Sequence, residues 1–321
     1  MNNWQYLIYT FLLFGLSIIY FKIAQKYKIV DLPNHRTMHQ GATIRGGGII
    51  IFIGVLLFSL TLDEPSFFFT GGLLIIGITG FLDDLNDLSS KIRIPIQVLS
   101  ILLILADLNM LGSNVILLMI IIVVCTGILN AYNFMDGING ITGGYSLLTV
   151  LSMTYVNNYI QNFIANQFLI IIILTLLVFN FFNFRNKAVC FAGDVGSLAV
   201  AFVIIYLMIK LINESNEIAY ILFLTLYGID TIFTIIQRLL MKQNIFEAHR
   251  LHLFQVAISK TGKPHLFMTL IYVAVQAIIN FIVILTLPMN STQQAVYLGI
   301  MLMILSLTYV GVKRKLMIDT I

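Results

Sequence analysis

Long apolar runs separated by short polar, glycine or proline clusters set the rhythm of this chain. Eleven runs stand out: Trp4 to Phe21, Gly47 to Leu62, Ser66 to Leu82, Ile94 to Ala106, Val115 to Ala131, Ile141 to Tyr155, Gln167 to Asn183, Ser197 to Ile212, Ile218 to Ile236, Leu266 to Pro288 and Ala295 to Val312. A helix crosses a bilayer with about 20 predominantly apolar residues. The pattern therefore predicts an all-α polytopic membrane protein of about eleven transmembrane helices, forming one integral-membrane domain over residues 1–321. An odd number of crossings puts the termini on opposite faces.

Charge sorts the connecting segments. Of the 18 Lys and Arg residues, 17 fall in one set of loops, and only Lys210 falls in the other. The first set carries a net +8 and all five His; the second, with Asp63, Glu64, Asp107, Glu214 and Glu217, carries −4. By the positive-inside rule the basic face is cytoplasmic, the N-terminus outside and the C-terminus inside. Composition agrees: 59% hydrophobic, 10% charged and a mean hydropathy of +0.97 exclude an ordinary soluble chain and leave no room for a separate soluble catalytic or nucleic-acid-binding domain. No basic stretch or small-residue cleavage site accompanies the first run, which reads as a retained anchor. Cys125 falls mid-run and Cys190 in an inner loop, so no disulfide is expected.

Five polar clusters lie on the basic face. In the first, Arg36, His39 and Arg45 are natural phosphate donors, and Gly46-Gly47-Gly48 brings backbone N–H groups close to an anion or simply opens a helix. The second, Asp83-Asp84-Leu85-Asn86-Asp87 followed by Lys91, crowds three carboxylates at a membrane boundary, which favours a divalent cation over a plain acidic cap. The third runs from Asn130 through Asn133 and Asp136 to Gly144, and its glycines suit either irregular backbone around a wet cavity or a turn. In the fourth, Phe191 to Ser197, Asp194 either caps a helix or ligates a metal while Gly193 and Gly196 admit a diphosphate. The fifth contains His249-Arg250-Leu251-His252, donors suited to a nucleotide diphosphate. Asp230 and Arg238, two turns apart, read as an intramembrane ion pair or as functional groups. Hard-metal carboxylates, glycines and cations on one face imply a Mg²⁺-dependent reaction on a phosphorylated cytosolic substrate.

The motifs DLPNHRTMH with RGGG, FLDDLNDLSSKIRIPIQ, NAYNFMDGINGITGG, FAGDVGS and EAHRLHLFQ occur in order between Asp31 and Gln255. Over this stretch the chain resembles the polyprenyl-phosphate N-acetylhexosamine-1-phosphate transferases, which include the initiating enzymes of O-antigen and teichoic acid linkage and the peptidoglycan translocase. The resemblance implies transfer of a sugar 1-phosphate, GlcNAc-1-phosphate foremost, from a UDP-N-acetyl amino sugar to undecaprenyl phosphate, releasing UMP, with Mg²⁺ or alternatively Mn²⁺, at the cytoplasmic face of a bacterial inner membrane. Lipid is thus both surroundings and substrate, and a homodimer is admitted. By position it makes Asp83, Asp84 and Asp136 catalytic, Asp194 and Asn133 metal ligands, and Asn133, His249, Arg250 and His252 substrate contacts, with Arg36, His39, Arg45 and Lys91 as further substrate-binding cations. Asn139 stands where many members carry a second Asp, which sets that position apart from the metal. Three rivals have less support. A prenyltransferase calls for a second multi-Asp motif, an intramembrane aspartyl protease leaves the loop clusters unexplained, and a secondary transporter calls for inverted repeats and mid-span breaks.

Overall fold

The computed structural model describes residues 2–31, 43–61, 66–244 and 249–318. Each predicted apolar run contains a helix: α1 (Asn3–Lys26), α2 (Ile49–Leu60), α3 (Phe67–Asn86), α4 (Ser90–Asp107), α5 (Val115–Met135), α6 (Ile141–Tyr159), α7 (Asn166–Asn183), α8 (Gly193–Ser215), α9 (Thr225–Leu240), α11 (His265–Thr286) and α12 (Ser291–Ile318). The all-α expectation needs one small amendment. Val30–Asp31 (β1) and Thr43–Ile44 (β2) pair antiparallel, and Ile44 bridges to Cys190.

Eight of the described helices or helical stretches are long and apolar enough to cross a membrane. The chain is therefore a polytopic membrane protein. α2 is apolar but has only 12 residues. α4 starts at Ser90, four residues before its predicted start, because Lys91 and Arg93 are helical although not apolar.

α8 is the hub of the bundle. It is apolar all round from Leu198 to Ile209, and every residue from Val195 to Ile209 is buried, the signature of a helix enclosed on all sides. α2, α3, α5 and α6 pack around it. Small residues let them come close: a Cβ on Gly80 of α3 would meet the Asp194 carbonyl oxygen at 2.7 Å, and one on Gly72 would meet the Phe202 ring at 2.7 Å.

The ninth predicted run is not one continuous α-helix. Ile218–Leu224 form a 3-10 turn that leads into α9. Gln276 of α11 satisfies backbone groups at this junction: its amide donates to the Leu222 carbonyl at 3.0 Å and accepts from the Leu226 N–H at 2.9 Å. The longest predicted inner loop also contains a helix, α10 (Leu253–Thr261), which buries Phe254, Val256, Ala257 and Ile258 and ends at a left-handed Gly262.

Candidate active site

The acidic end of α3 meets the N-terminus of α8. Asp84, buried in the last turn of α3, accepts from the backbone N–H of Asp194 at 3.0 Å and of Val195 at 3.1 Å. A helix N-terminus carries unsatisfied donors and partial positive charge, so a carboxylate is stabilised there. The cap of α8 is thus supplied by another helix, and the Asp194 side chain is not spent on capping. The approach depends on Gly193, whose φ of +68° disfavours a side chain and whose Cβ would meet Asp84 Oδ2 at 2.6 Å.

Two arginines hold the acids in register. Arg45 Nε donates to Asp84 Oδ1 at 2.8 Å, and its Nη2 lies 3.6 Å from Asp87 and 3.8 Å from Asp194. Arg93 Nη1 donates to Asp83 Oδ2 at 2.9 Å, while the Leu88 N–H occupies Oδ1. Asn133 of α5 donates through its amide to Asp194. Asp136, one residue past α5, accepts from Thr142 at 2.7 Å. Burial pushes its carboxyl up to about 7; the Thr142 hydroxyl opposes this and the nearby Asp84 charge adds to it.

Arg45, Asp83, Asp84, Asn133, Asp136 and Asp194, drawn from four separate sequence clusters, therefore converge. Carboxylates outnumber guanidiniums in a largely buried setting, an imbalance that a divalent cation would relieve. Among the described residues no group of three or more His, Cys, Asp or Glu side chains is arranged to hold a metal ion by itself. A hard cation such as Mg²⁺ needs only one or two carboxylates when substrate phosphates complete its shell, and Asp194 is the carboxylate here that could serve.

Beside the acids a cleft opens, lined by Arg93, Asn130, Phe134, Arg238, His249 and His252 among others. Arg93 joins the two regions, since it pairs with Asp83 and also lines the cleft. Burial, with His252, Arg238 and Lys313 nearby, pushes the His249 imidazole down to about 4. Arg250 is half-buried in the same loop.

Several expectations need correction. The glycine run of the first cluster and Gly196 of the fourth do not leave space for an anion. A Cβ on Gly48 would meet Gly196 Cα at 2.5 Å, and one on Gly47 would meet Cys190 Cβ at 2.4 Å. The Gly48 N–H is spent on the Ala192 carbonyl at 3.0 Å, so Gly48 and Gly196 serve backbone-to-backbone packing and Gly47 makes room for the Cys190 side chain. Lys91 is exposed in the first turn of α4, and the cation that enters the site is Arg93. Asn139 is a structural amide, donating to the Arg185 and Asn186 carbonyls at 2.8 and 3.1 Å, which a carboxylate cannot do. Arg36 and His39 lie outside the described residues. Cys125 and Cys190 are buried free thiols.

Arg93, Gln97 and Asn130 belong to the second and third polar clusters, but the sequence alone gives them no role at the site. Asn130 donates to Gln97 Oε1 at 2.8 Å across α4 and α5. The spacing carries the signal: Arg93 and Gln97 are four residues apart on α4, as neighbours on one helix face are.

Residues 66–212 match the model of glycosyl transferase family 4. The chain is 30% identical over 254 residues to the "Probable undecaprenyl-phosphate N-acetylglucosaminyl 1-phosphate transferase" of Bacillus subtilis (strain 168), covering 72% of this chain and 70% of that one. The chain belongs to this glycosyl transferase family. It is also similar to the undecaprenyl-phosphate alpha-N-acetylglucosaminyl 1-phosphate transferase of Thermotoga maritima, 28% identical over 81% of this chain and 82% of that one. A transferase of the same name from Yersinia pestis is 30% identical over 64% of this chain and 61% of its own length. The family match holds Asp83, Asp84, Asn133, Asp136 and Asp194, whereas Arg45 and the His249–His252 loop lie outside it.

Proposed function

We propose that this protein transfers N-acetylglucosamine 1-phosphate from UDP-N-acetylglucosamine to undecaprenyl phosphate, releasing UMP, and so initiates a lipid-linked cell-envelope polysaccharide. The observation that carries this reading is the cluster of Asp83, Asp84, Asp136 and Asp194 braced by Arg45 and Arg93 at helix ends. The names of the relatives point to the acceptor and the group transferred, undecaprenyl phosphate and N-acetylglucosamine 1-phosphate, and the UDP-linked donor is part of the proposal. With eleven crossings and the basic face inward, the site opens to the cytoplasm of a bacterial plasma membrane, where UDP-sugars are available.

In this reaction an oxygen of the lipid phosphate attacks the β-phosphorus of the UDP-sugar, and the bond to the α-phosphate breaks as UMP leaves. A phosphate monoester has a second pKa near about 6, so it is largely a dianion at neutral pH and needs no general base. Bringing two anions together is the main obstacle, and cations at the transferring group are the remedy. Asp194 and Asn133, with Asp83 beside them, would hold Mg²⁺ through oxygen donors; when bound, the ion supplies charge neutralisation at the diphosphate. Arg93, with one end on Asp83 and its body along the cleft, orients the diphosphate.

Asp84 has both oxygens occupied, by two backbone N–H groups and Arg45, and Asp83 is occupied by Leu88 and Arg93. Neither is a free nucleophile, which favours direct displacement over an aspartyl-phosphate intermediate. The test is UMP release from UDP-N-acetylglucosamine by purified protein, with and without undecaprenyl phosphate and Mg²⁺. Release that requires both is the expected result. Release in a single turnover without lipid would overturn direct displacement, and no release with any UDP-N-acetyl sugar from folded protein would overturn the function.

A further inference from the structure

The mechanism above leaves one buried acid unused. Asp230 of α9 is 0% exposed, and its carboxylate gathers donors from four helices and the turn before α10. Oδ1 accepts from Tyr309 Oη of α12 at 2.8 Å, from the Leu253 N–H at 3.1 Å, from His252 Nδ1 at 3.2 Å and from Thr234 Oγ1 at 3.3 Å. Oδ2 accepts from Tyr272 Oη of α11 at 2.6 Å. Lys313 braces the group, donating to Thr234 Oγ1 at 2.8 Å and Tyr309 Oη at 2.9 Å. An acid surrounded by donors is an acceptor, so the hydrogen between Asp230 and His252 belongs to imidazole Nδ1.

The other face of that imidazole points elsewhere. His252 is 2% exposed, its Nε2 is buried with no hydrogen-bond partner among the described residues, and the residue lines the cleft beside Arg93, Asn130 and Phe134. A buried unpartnered ring nitrogen at a cleft wall is costly unless a ligand meets it. We propose that Asp230 is a positioning residue: through Nδ1 it fixes the tautomer and direction of His252, so that Nε2 meets the sugar-diphosphate substrate in the cleft. Tyr272, Tyr309 and Lys313 hold Asp230 in place, which makes the last two helices part of the site although they lie outside the family match. The Phe254 ring stacks on His252 with centroids 5.8 Å apart, closing the imidazole against rotation.

This inference rests on the proposed transferase reading for its substrate, so its test has an arm that needs no turnover. Nitrogen-15 NMR of ring-labelled histidine, with His252 assigned by its loss in His252→Gln, should show Nδ1 protonated in the wild-type protein. A bare Nδ1 would overturn the proposal whether or not the protein turns over substrate. In the UMP-release assay, Asp230→Asn and His252→Gln should each lower kcat/KM by about 10- to 100-fold, the range for groups that orient a functional imidazole. The double variant should lose no more than about twofold beyond His252→Gln. Losses that multiply would mean that Asp230 acts independently of His252, as a purely structural residue would, and would overturn the relay. If the wild type releases no UMP while Nδ1 is protonated, the substrate assignment fails and the Asp230–His252 orientation stands.

Discussion

At the residue scale, two aspartates that look equivalent in sequence have different work. Asp84 caps α8 and pairs with Arg45, so it supports the fold as well as the chemistry, whereas Asp194 sits among other acids and contributes repulsion. Asp84→Asn is expected to lower both the thermal midpoint and turnover, because the partly exposed Arg45 loses its counter-charge and the helix loses a cap worth about 1 kcal/mol or more. Asp194→Asn should leave the midpoint unchanged or raise it, while lowering turnover by about 10²-fold or more. Equal drops in midpoint, read by thermal unfolding in detergent, would refute the division. His249 gives a pH signature of its own. Burial lowers its folded pKa to about 4, while the unfolded histidine takes a proton near about 6.5. The unfolded chain therefore binds more protons between these values, so this contribution is intact above about pH 6.5 and is lost as pH falls towards 4. His249→Gln should flatten the fall of the thermal midpoint with acid relative to wild type, and an unchanged fall would show that other groups govern it.

At the scale of elements, the glycines matter because backbones touch. The segment from Gly46 to Gly48 lies against the start of α8, with Gly196 against Gly48 and Gly193 against Gly46. Gly196→Ala is therefore expected to cost about 1 to 3 kcal/mol through overpacking, lowering the thermal midpoint while KM for the UDP-sugar in the folded fraction stays near wild type. A raised KM with an unchanged midpoint would restore the anion-cradle reading. The same element pair explains what was legible here. Clustered glycines beside apolar runs announced a close approach, but a sequence cannot say whether the approaching group is a phosphate or another main chain. Lys91 and Arg93 both lie in the first turn of α4, and the sequence alone does not distinguish the exposed Lys91 from Arg93, which turns toward Asp83.

At the scale of the whole molecule, the asymmetry of charge carries the topology. Native Cys125 and Cys190 are buried, so an introduced thiol reports its own side. In intact cells, Asn2→Cys should react with a membrane-impermeant maleimide and Arg314→Cys only after permeabilisation; the opposite pattern would invert the proposed orientation. Hydrophobic patterning and the scarcity of charge by themselves determined that the chain is a helical membrane protein and roughly where its apolar helices lie, because a bilayer admits so few alternatives for the backbone. Only the tertiary structure decided which groups meet. Asp84 reaches the N-terminus of α8 across 110 residues, and Asp230 collects Tyr272 and Tyr309 from helices 42 and 79 residues away. Such partners leave no local trace, since a hydrogen bond between distant helices depends on how the bundle packs and not on spacing along any one of them.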